Sequence, residues 1–237
     1  MNKCIAIIPA RGGSKRIPRK NIKDFNGKPL IAYSIEVAIR TKLFDRVIVS
    51  TDDEEIAEIA KKYGAEVPFV RPKELSGDFT STGDVINHAI KYFEKQGERI
   101  EYFCTIYATA PLLKKEYLIE AYTKLKSSSA VNAFSCTSMP FPIQRAFKIL
   151  ESNRCEMFWP ENYMLRSQDL VESYQDAGQF YWTNRIREKN IDNSVMFSKN
   201  SLPIILPRYL VQDIDTIEDW KRVELMYEVV NRSEKYV

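Results

Sequence analysis

Residues 9–21 read PARGGSKRIPRKN and follow directly on an apolar run, Cys4–Ile8. Such a run near the start of a chain is typical of a buried parallel strand. Gly12 and Gly13 allow the backbone to turn sharply and to bring its N–H groups close to an anion. Five cationic side chains can neutralise that anion: Arg11, Lys15, Arg16, Arg19 and Lys20. The stretch therefore predicts a polyphosphate-binding loop at the carboxyl end of the first strand.

The spacing excludes two familiar phosphate loops, since neither G-x-x-x-x-G-K-[ST] nor G-x-G-x-x-G occurs in residues 9–21. The alternative is a solvated basic loop or a nucleic-acid patch, which usually explains an isolated cationic run. Position favours the phosphate loop, because α/β sheets bind their ligands at the carboxyl ends of their strands.

The composition predicts a soluble globular protein. Hydrophobic residues make up 44% and charged residues 28% of the 237 residues, which suits a single α/β domain over 1–237. The formal net charge of +3 is too small to indicate nucleic acid. Neither a signal-peptide pattern nor a membrane-length apolar stretch occurs. Four widely spaced cysteines without C-x-x-C favour free thiols, so we expect a cytoplasmic protein without a membrane partner.

Short apolar runs alternate with amphipathic stretches along most of the chain. Strands are predicted over residues 4–8, 47–50, 66–70, 102–107, 131–136 and 209–213. Helical patterns begin near Pro29, after a capping box over 51–54, and near residues 82, 115 and 216. This order predicts the α/β class, as a doubly wound domain whose mostly parallel sheet carries helices on both faces.

Residues 139–190 interrupt this alternation, because they are rich in aromatic and polar residues and lack a clean helical period. We interpret them as an insertion that partly leaves the main sheet. From the residues alone, the insertion could equally be a long folded lid.

The stretch IPARGGSKRIPRKNI, residues 8–22, resembles the nucleotide-binding signature of the cytidylyltransferases that activate nonulosonic acids. The resemblance extends over nearly the whole chain. It implies a three-layer α/β/α fold with a mixed sheet, and a dimerisation arm within 139–190 that lends residues to the partner's active site. It assigns the triphosphate of CTP to Arg11, Lys15 and Lys20, which would also be catalytic. The neighbouring nucleotide-binding positions are Ala10, Gly12, Gly13 and Asn21.

Residues 71–83 resemble the base-recognition segment of the same family. The resemblance implies that Arg71 donates to cytosine O2, that backbone carbonyls near Thr80 accept from N4, and that Thr82 lies nearby. The same stretch could also simply cap the next helix, with Thr82 or Asp84 as the cap. Residues 107–112, YATAPL, match a family motif that usually begins with Gln, so Tyr107 is a departure whose role stays open.

Residues 212–215 read QDID, which places two carboxylates at i and i+2 of the last expected strand, facing the same way. Such carboxylates repel unless a cation lies between them, and paired hard oxygen ligands suit Mg²⁺. The alternative is a surface Asp213 and an Asp215 near the helix N-terminus, where the dipole favours it. The resemblance assigns both to metal, Mg²⁺ or possibly Mn²⁺, and makes Asp215 catalytic.

Residues 176–182 read DAGQFYW, whereas sialic acid synthetases usually carry Asn-Gly-Ala-Ile-Tyr over the middle of this stretch. This version resembles the pseudaminic acid branch of the family. The resemblance implies a sugar site built from Arg166, Gln168, Gln179 and Tyr181. A guanidinium at position 166 fits the substrate carboxylate through two hydrogen bonds. The alternative for residues 180–182 is a role as core or interface aromatics.

The resemblance implies an enzyme that transfers CMP from CTP to a nonulosonic acid and releases pyrophosphate. It also implies pseudaminic acid as the acceptor and a product that serves surface or flagellar glycosylation, and we expect a homodimer without nucleic acid. Two alternatives stay open. The acceptor could be legionaminic, sialic or octulosonic acid, or the chain could be a non-catalytic nucleotide-binding module.

Overall fold

A six-stranded sheet forms the centre of the chain, which a computed structural model describes over residues 2–191 and 196–233. Its strands are β1 (Asn2–Pro9), β2 (Arg46–Ser50), β3 (Arg99–Ile106), β4 (Asn132–Ser138), β5 (Tyr174–Asn184) and β6 (Ser201–Ile205). The spatial order is β6-β4-β5-β3-β1-β2. Strand β5 is antiparallel to both neighbours and the other pairs are parallel, which confirms the predicted mixed, mostly parallel sheet.

Helices cover both faces of this sheet. They are α1 (Leu30–Thr41), α2 (Glu54–Lys62), α3 (Thr82–Lys95), α4 (Lys115–Lys126), the short α5 (Arg185–Lys189) and α6 (Ile217–Ser233). Alternate residues of a strand point to opposite faces. Accordingly, Ile8 of β1 is buried in a cluster with residues of α1, α2 and α4, while Ile7 is buried with residues of α3. The predicted three-layer, doubly wound α/β fold is confirmed.

The helix caps differ from the predicted ones at two sites. Helix α2 is capped by Asp53, whose Oδ1 accepts from the Ile56 N–H at 3.0 Å, instead of by Thr51. Helix α3 is capped by Ser81, one residue before the predicted Thr82. The helix predicted to begin near residue 216 has a reciprocal cap, since the Thr216 and Asp219 side chains each accept from the other's N–H, at 3.2 and 2.8 Å.

Two predicted strands are wrong. Residues 66–70 make only an isolated bridge between Glu66 and Ile48, because Pro68 has no N–H with which to continue a ladder. Residues 209–213 begin in a 3₁₀ turn, Arg208–Leu210, and continue without a ladder. The sheet instead gains β5 and the edge strand β6, which tolerates Pro203 because it lies at the edge.

The predicted insertion is shorter in the structure than residues 139–190. Residues 139–173 leave the main sheet and include a small hairpin of Phe147–Ile149 with Cys155–Met157, and β5 then returns to the centre of the sheet. We call residues 139–173 the arm. Many of its large apolar side chains are exposed: Phe141, Phe147, Ile149, Phe158, Tyr163, Met164 and Val171.

The four cysteines are free thiols. Cys4, Cys104 and Cys136 are buried, and Cys155, in the arm hairpin, is exposed. Burial is the main reason why the pKa of Cys4 is raised to about 12, and it also raises the pKa of Cys104 and Cys136. Within the described ranges, no helix combines the length and the apolar character that crossing a membrane requires.

A third apolar cluster joins the two ends of the chain. Ile17, which lies in the basic loop, and Ile214, which lies just before α6, are both buried in it with Phe25 and Trp220. The Phe25 and Trp220 rings meet edge to face with centroids 5.6 Å apart. This packing places residues 11–21 beside residues 213–215 at one edge of the sheet.

Candidate active site

A cationic cleft of about 310 Å³ lies at the carboxyl ends of β1 and β3. Its walls come from the loop after β1, from residues 71–85 and from Tyr107–Thr109. The cations among its lining residues are Arg11, Lys15, Arg16, Lys20 and Arg71. The structure thus brings together the predicted phosphate loop and the predicted base segment, although they are distant in sequence.

Arg11 and Lys15 converge on a single carboxylate. The Arg11 Nη1 donates to Asp78 Oδ1 at 2.7 Å, and the Lys15 ammonium donates to the other oxygen of the same group. These two cations, Lys15 foremost, lower the pKa of Asp78. A carboxylate held by two cations through separate oxygens shows the geometry with which the same cations can hold a phosphate.

The glycine pair turns beside the start of α2. The Gly12 N–H donates to Asp52 Oδ1 at 3.1 Å, and a Cβ on Gly12 would lie 2.6 Å from Asp53 Oδ2. The Asp53 carboxylate cannot easily retreat, because it also caps α2 and accepts two hydrogen bonds from Arg19. A Cβ on Gly13 would meet nothing within 4 Å. Of the two glycines, only Gly12 is therefore required for the close approach of the loop backbone to the Asp53 carboxylate.

Three residues of the basic stretch hold the loop in position and contribute no charge to the cleft. Asn21 is buried and donates from Nδ2 to the Arg11 carbonyl at 3.0 Å. Ala10 is buried and donates its N–H to the Ser50 carbonyl at 2.9 Å. Arg19 has a left-handed backbone with φ of 56° and pairs with Asp53 and Glu55, away from the cleft lining.

Lys20 ties the loop to the segment before α6. Its side chain is only 18% exposed, and its ammonium donates to the Ile214 carbonyl and lies 3.6 Å from Asp215 Oδ1. Arg16 Nη2 donates to the same Asp215 oxygen at 2.7 Å. Lys20 and Asp215, which the sequence assigned to one catalytic centre, are therefore neighbours.

The predicted strand geometry of the Asp213 and Asp215 pair is wrong, because residues 211–216 form a loop. Asp215 instead precedes α6, where the Asp219 carboxylate accepts from its N–H at 3.1 Å. Burial and then the charge of the Asp215 carboxylate raise the pKa of Asp213, so the two negative charges repel one another. In the described part of the chain, no group of three or more His, Cys, Asp or Glu side chains could hold a metal.

Arg71 is buried with only 4% of its surface exposed, and burial lowers its pKa. Its Nη2 lies 3.4 Å from Asp52 Oδ1, and its buried Nε lacks a hydrogen-bond partner in the described structure. A guanidinium in this state can donate to a ligand in the cleft that it lines. Thr80 and Thr82 also line the cleft, and the intervening Ser81 caps α3. The segment therefore lies where it could contact a base and also caps the next helix.

A second cavity of about 400 Å³ adjoins the cleft, because Tyr107 and Thr82 line both. Tyr181 lies in its wall and donates its hydroxyl to Asp176 Oδ2 at 2.6 Å. Burial and this acceptor raise the pKa of Tyr181. The remaining described lining residues are Gly83, Ile86, Asn87, Phe103, Thr105, Asn132, Thr183, Glu188, Met196 and Phe197.

The other predicted sugar residues are not in this cavity. Gln179 is buried within β5 and donates from Nε2 to the Leu210 carbonyl at 2.5 Å, so it supports the loop before Asp213. Arg166 and Gln168 lie exposed in the arm, and Arg166 pairs with Asp169 through two hydrogen bonds of 2.7 and 3.0 Å. Within one chain, the structure does not bring these three to the site.

Sequence reasoning missed the carboxylates that hold the cations, namely Asp52, Asp53 and Asp78. One signal was available, since residues 52–55 are all acidic and directly follow β2, whose carboxyl end lies beside the loop. We read the start of this run only as a helix cap. Asp78 carried no such signal, because its contacts span 63 and 67 residues along the chain.

The two glycines provide a matched pair for testing the loop. Gly12→Ala should lower the melting temperature, because its methyl group would push on an Asp53 carboxylate that α2 and Arg19 hold in place. Gly13→Ala should leave the melting temperature within about 1–2 °C of wild type, in line with a surface change of under roughly 0.5 kcal/mol. Thermal unfolding of both variants checks this, and equal melting temperatures would contradict the loop geometry.

Comparison with known proteins identifies the family of the chain. The family model for cytidylyltransferases matches residues 5–229. A pseudaminic acid cytidylyltransferase from Campylobacter jejuni is 48% identical over 98% of this chain and 99% of its own length. A CMP-N,N'-diacetyllegionaminic acid synthase from Legionella pneumophila is 31% identical over 95% of this chain and 96% of its own.

Among solved structures, a CMP:2-keto-3-deoxy-manno-octonic acid synthetase complexed with CTP superposes with a TM-score of 0.67 over 96% of this chain and 99% of that one, at 15% identity. This likeness concerns the fold. The family match and the relative at 48% identity each cover nearly the whole chain. The chain therefore belongs to the cytidylyltransferase family of nucleotidyltransferase enzymes.

Proposed function

We propose that this enzyme transfers CMP from CTP to pseudaminic acid and releases pyrophosphate. The observation that carries the proposal is the convergence of Arg11 and Lys15 on one anion at the carboxyl end of β1. The identity of 48% to a pseudaminic acid cytidylyltransferase supports the choice of acceptor. The four free cysteines fit a reducing compartment, so we place the reaction in the cytoplasm.

The transfer is a displacement at the α-phosphorus. The anomeric hydroxyl oxygen forms the new bond to phosphorus, the bond between the α-phosphorus and the bridging oxygen breaks, and pyrophosphate leaves with that electron pair. The hydroxyl proton passes to solvent. Arg11 and Lys15 would offset charge on the departing phosphates, and the less exposed Lys20 would hold the α-phosphate end.

Selection of cytosine would fall to Arg71. Its buried guanidinium has an unpaired Nε–H, which a base carbonyl can accept. The Thr80 segment lines the same cleft and could accept from the exocyclic amine of cytosine. Uracil has a carbonyl there instead, so it would leave buried polar groups unpaired.

Asp213 and Asp215 would hold a divalent cation. The fit rests on the donor set, since two hard carboxylates whose charges repel one another gain from a cation, and water and phosphate oxygens would be its other ligands. Asp215 is engaged with Arg16 in the described structure, so the cation would replace an existing ion pair. When bound, Mg²⁺ would neutralise phosphate charge and make the attacking hydroxyl more acidic.

The arm would pair with a second copy of the chain. Many of its large apolar side chains are exposed, and exposed apolar patches commonly mark contact surfaces. Arg166 and Gln168 lie in the same segment and outside both cavities of their own chain. We therefore propose a homodimer in which the arm brings them to the partner's site.

A substrate panel tests the proposed reaction. With CTP, pseudaminic acid should be used with a kcat/KM at least about tenfold above that for legionaminic, sialic or octulosonic acid, and UTP should be used roughly a hundredfold less well than CTP. Pyrophosphate release measures both preferences. Preference for another acid would reassign the acceptor, and no turnover with any acid would favour the non-catalytic alternative.

Chelation tests the metal. EDTA should abolish turnover, and Mg²⁺ or Mn²⁺ should restore it. Mg²⁺ with CTP should also raise the melting temperature of wild type and of the distant control Glu58→Gln more than it raises that of Asp213→Asn. In EDTA alone, Asp213→Asn should be no less stable than wild type, because it removes a like-charge contact. Full activity in EDTA would overturn the assignment.

Sedimentation tests the dimer. Wild type should sediment as a dimer, whereas the double variant Phe147→Glu/Met164→Glu should sediment as a monomer, because charges would have to be buried at the contact. Leu225→Glu, at an exposed position of α6, is the matched control and should stay dimeric. A wild type that is monomeric throughout the micromolar range would contradict the proposal.

A further inference from the structure

Tyr107 stands where the cationic cleft and the second cavity meet. It is the first residue after β3, and together with Thr82 it lines both spaces. Its role was left open by the sequence, because the family motif usually has Gln at this position. A side chain that belongs to both linings can contact a ligand on either side.

The position of Tyr107 is fixed by three elements. Its N–H donates to the Gln179 carbonyl of β5 at 2.9 Å, and its carbonyl accepts from the buried Ser34 hydroxyl of α1 at 2.7 Å. Its phenol oxygen lies 3.3 Å from Thr82 Oγ1 in the first turn of α3. Its ring is 5.5 Å from that of Tyr181, centroid to centroid. The ring is therefore preorganised before any ligand binds.

The spaces on the two sides of Tyr107 differ in charge. The cleft is lined by five cations and one carboxylate, Asp78, whereas the described lining of the second cavity carries Asp176 and Glu188 among neutral polar and apolar groups. A nonulosonic acid has its carboxylate and its anomeric hydroxyl on one carbon, and neutral substituents on the rest. The electrostatic field therefore favours the charged end toward the cleft and the neutral body in the cavity.

We propose that Tyr107 is a specificity-determining residue that contacts the acceptor sugar acid. Its ring separates the phosphates of CTP from the body of the sugar acid and directs the anomeric hydroxyl past its edge toward the α-phosphate. The Tyr107 ring offers a rigid apolar surface to the neutral part of the sugar acid, whereas the amide of a glutamine at this position would offer hydrogen-bonding groups. This inference rests on the proposed function and adds the residue that selects and orients its acceptor.

The test compares three variants at this position with wild type. Tyr107→Ala should raise the KM for pseudaminic acid at least about tenfold, as expected for a lost ring contact, while the Kd for CTP changes by less than roughly threefold. Tyr107→Phe keeps the ring and should show a smaller rise than Tyr107→Ala. Tyr107→Gln should lower the ratio of kcat/KM for pseudaminic acid to kcat/KM for sialic acid at least about fivefold. Steady-state kinetics and calorimetry with CTP give these values.

A matched control and the activity of wild type separate the possible results. Tyr63→Ala removes a ring from a half-buried site at the end of α2 and should leave the KM for the acid and the Kd for CTP near wild type. If wild type turns over no acid, the proposed function has failed. If wild type is active but Tyr107→Ala keeps the KM for the acid within twofold, or weakens CTP equally, the inference about Tyr107 alone is overturned. Thermal unfolding confirms that each variant is folded.

Discussion

The site depends on one long-range contact, the burial of Ile17 and Ile214 in the same apolar cluster. Above this cluster Lys20 donates to the Ile214 carbonyl, across 194 residues of chain. Bringing such distant segments together costs conformational entropy, which local hydrogen bonds cannot offset. Most of the compensating free energy must therefore come from apolar burial. The phosphate loop and the aspartate segment therefore acquire their relative positions only when the whole domain has packed.

The second constraint is charge. A loop with five cations within ten residues would repel itself if it were unpaired. The structure distributes these cations over separate carboxylates, with Arg11 and Lys15 on Asp78, and Arg16 and Lys20 near Asp215. Because the pairs of Arg11, Lys15 and Arg16 are exposed, each adds little stability by itself, and these three cations remain available for exchange with a more highly charged anion.

How much the sequence could predict follows from the range of each signal. The strand before the basic loop, five of the helices and the glycine turn have local signatures, and all were predicted. Residues 66–70 and 209–213 look like strands locally, but neither found a ladder partner along its length. Strand β5 was missed for the converse reason. Its first residues are polar and do not look like a strand locally, and they become one only by pairing with neighbouring strands.

The site shows the same division. Residue types within one segment predicted the cations and the aspartate pair, whereas the family resemblance predicted the Arg71 segment. Asp213 and Asp215 were predicted on a strand, yet the structure has them in a loop, where the Asp219 carboxylate accepts from the Asp215 N–H. The partners of the cations, above all Asp78, could not be predicted, because they depend on which loops meet at the sheet edge.

The distribution of the thiols gives the arm a built-in reporter. Three of the four cysteines are buried with raised pKa values, and both features slow the reaction of a thiol with thiol reagents. Cys155 is exposed on the arm hairpin. A maleimide dye or spin label added to the unmodified protein therefore attaches at one native position, and its rate of attachment measures whether another molecule covers the arm.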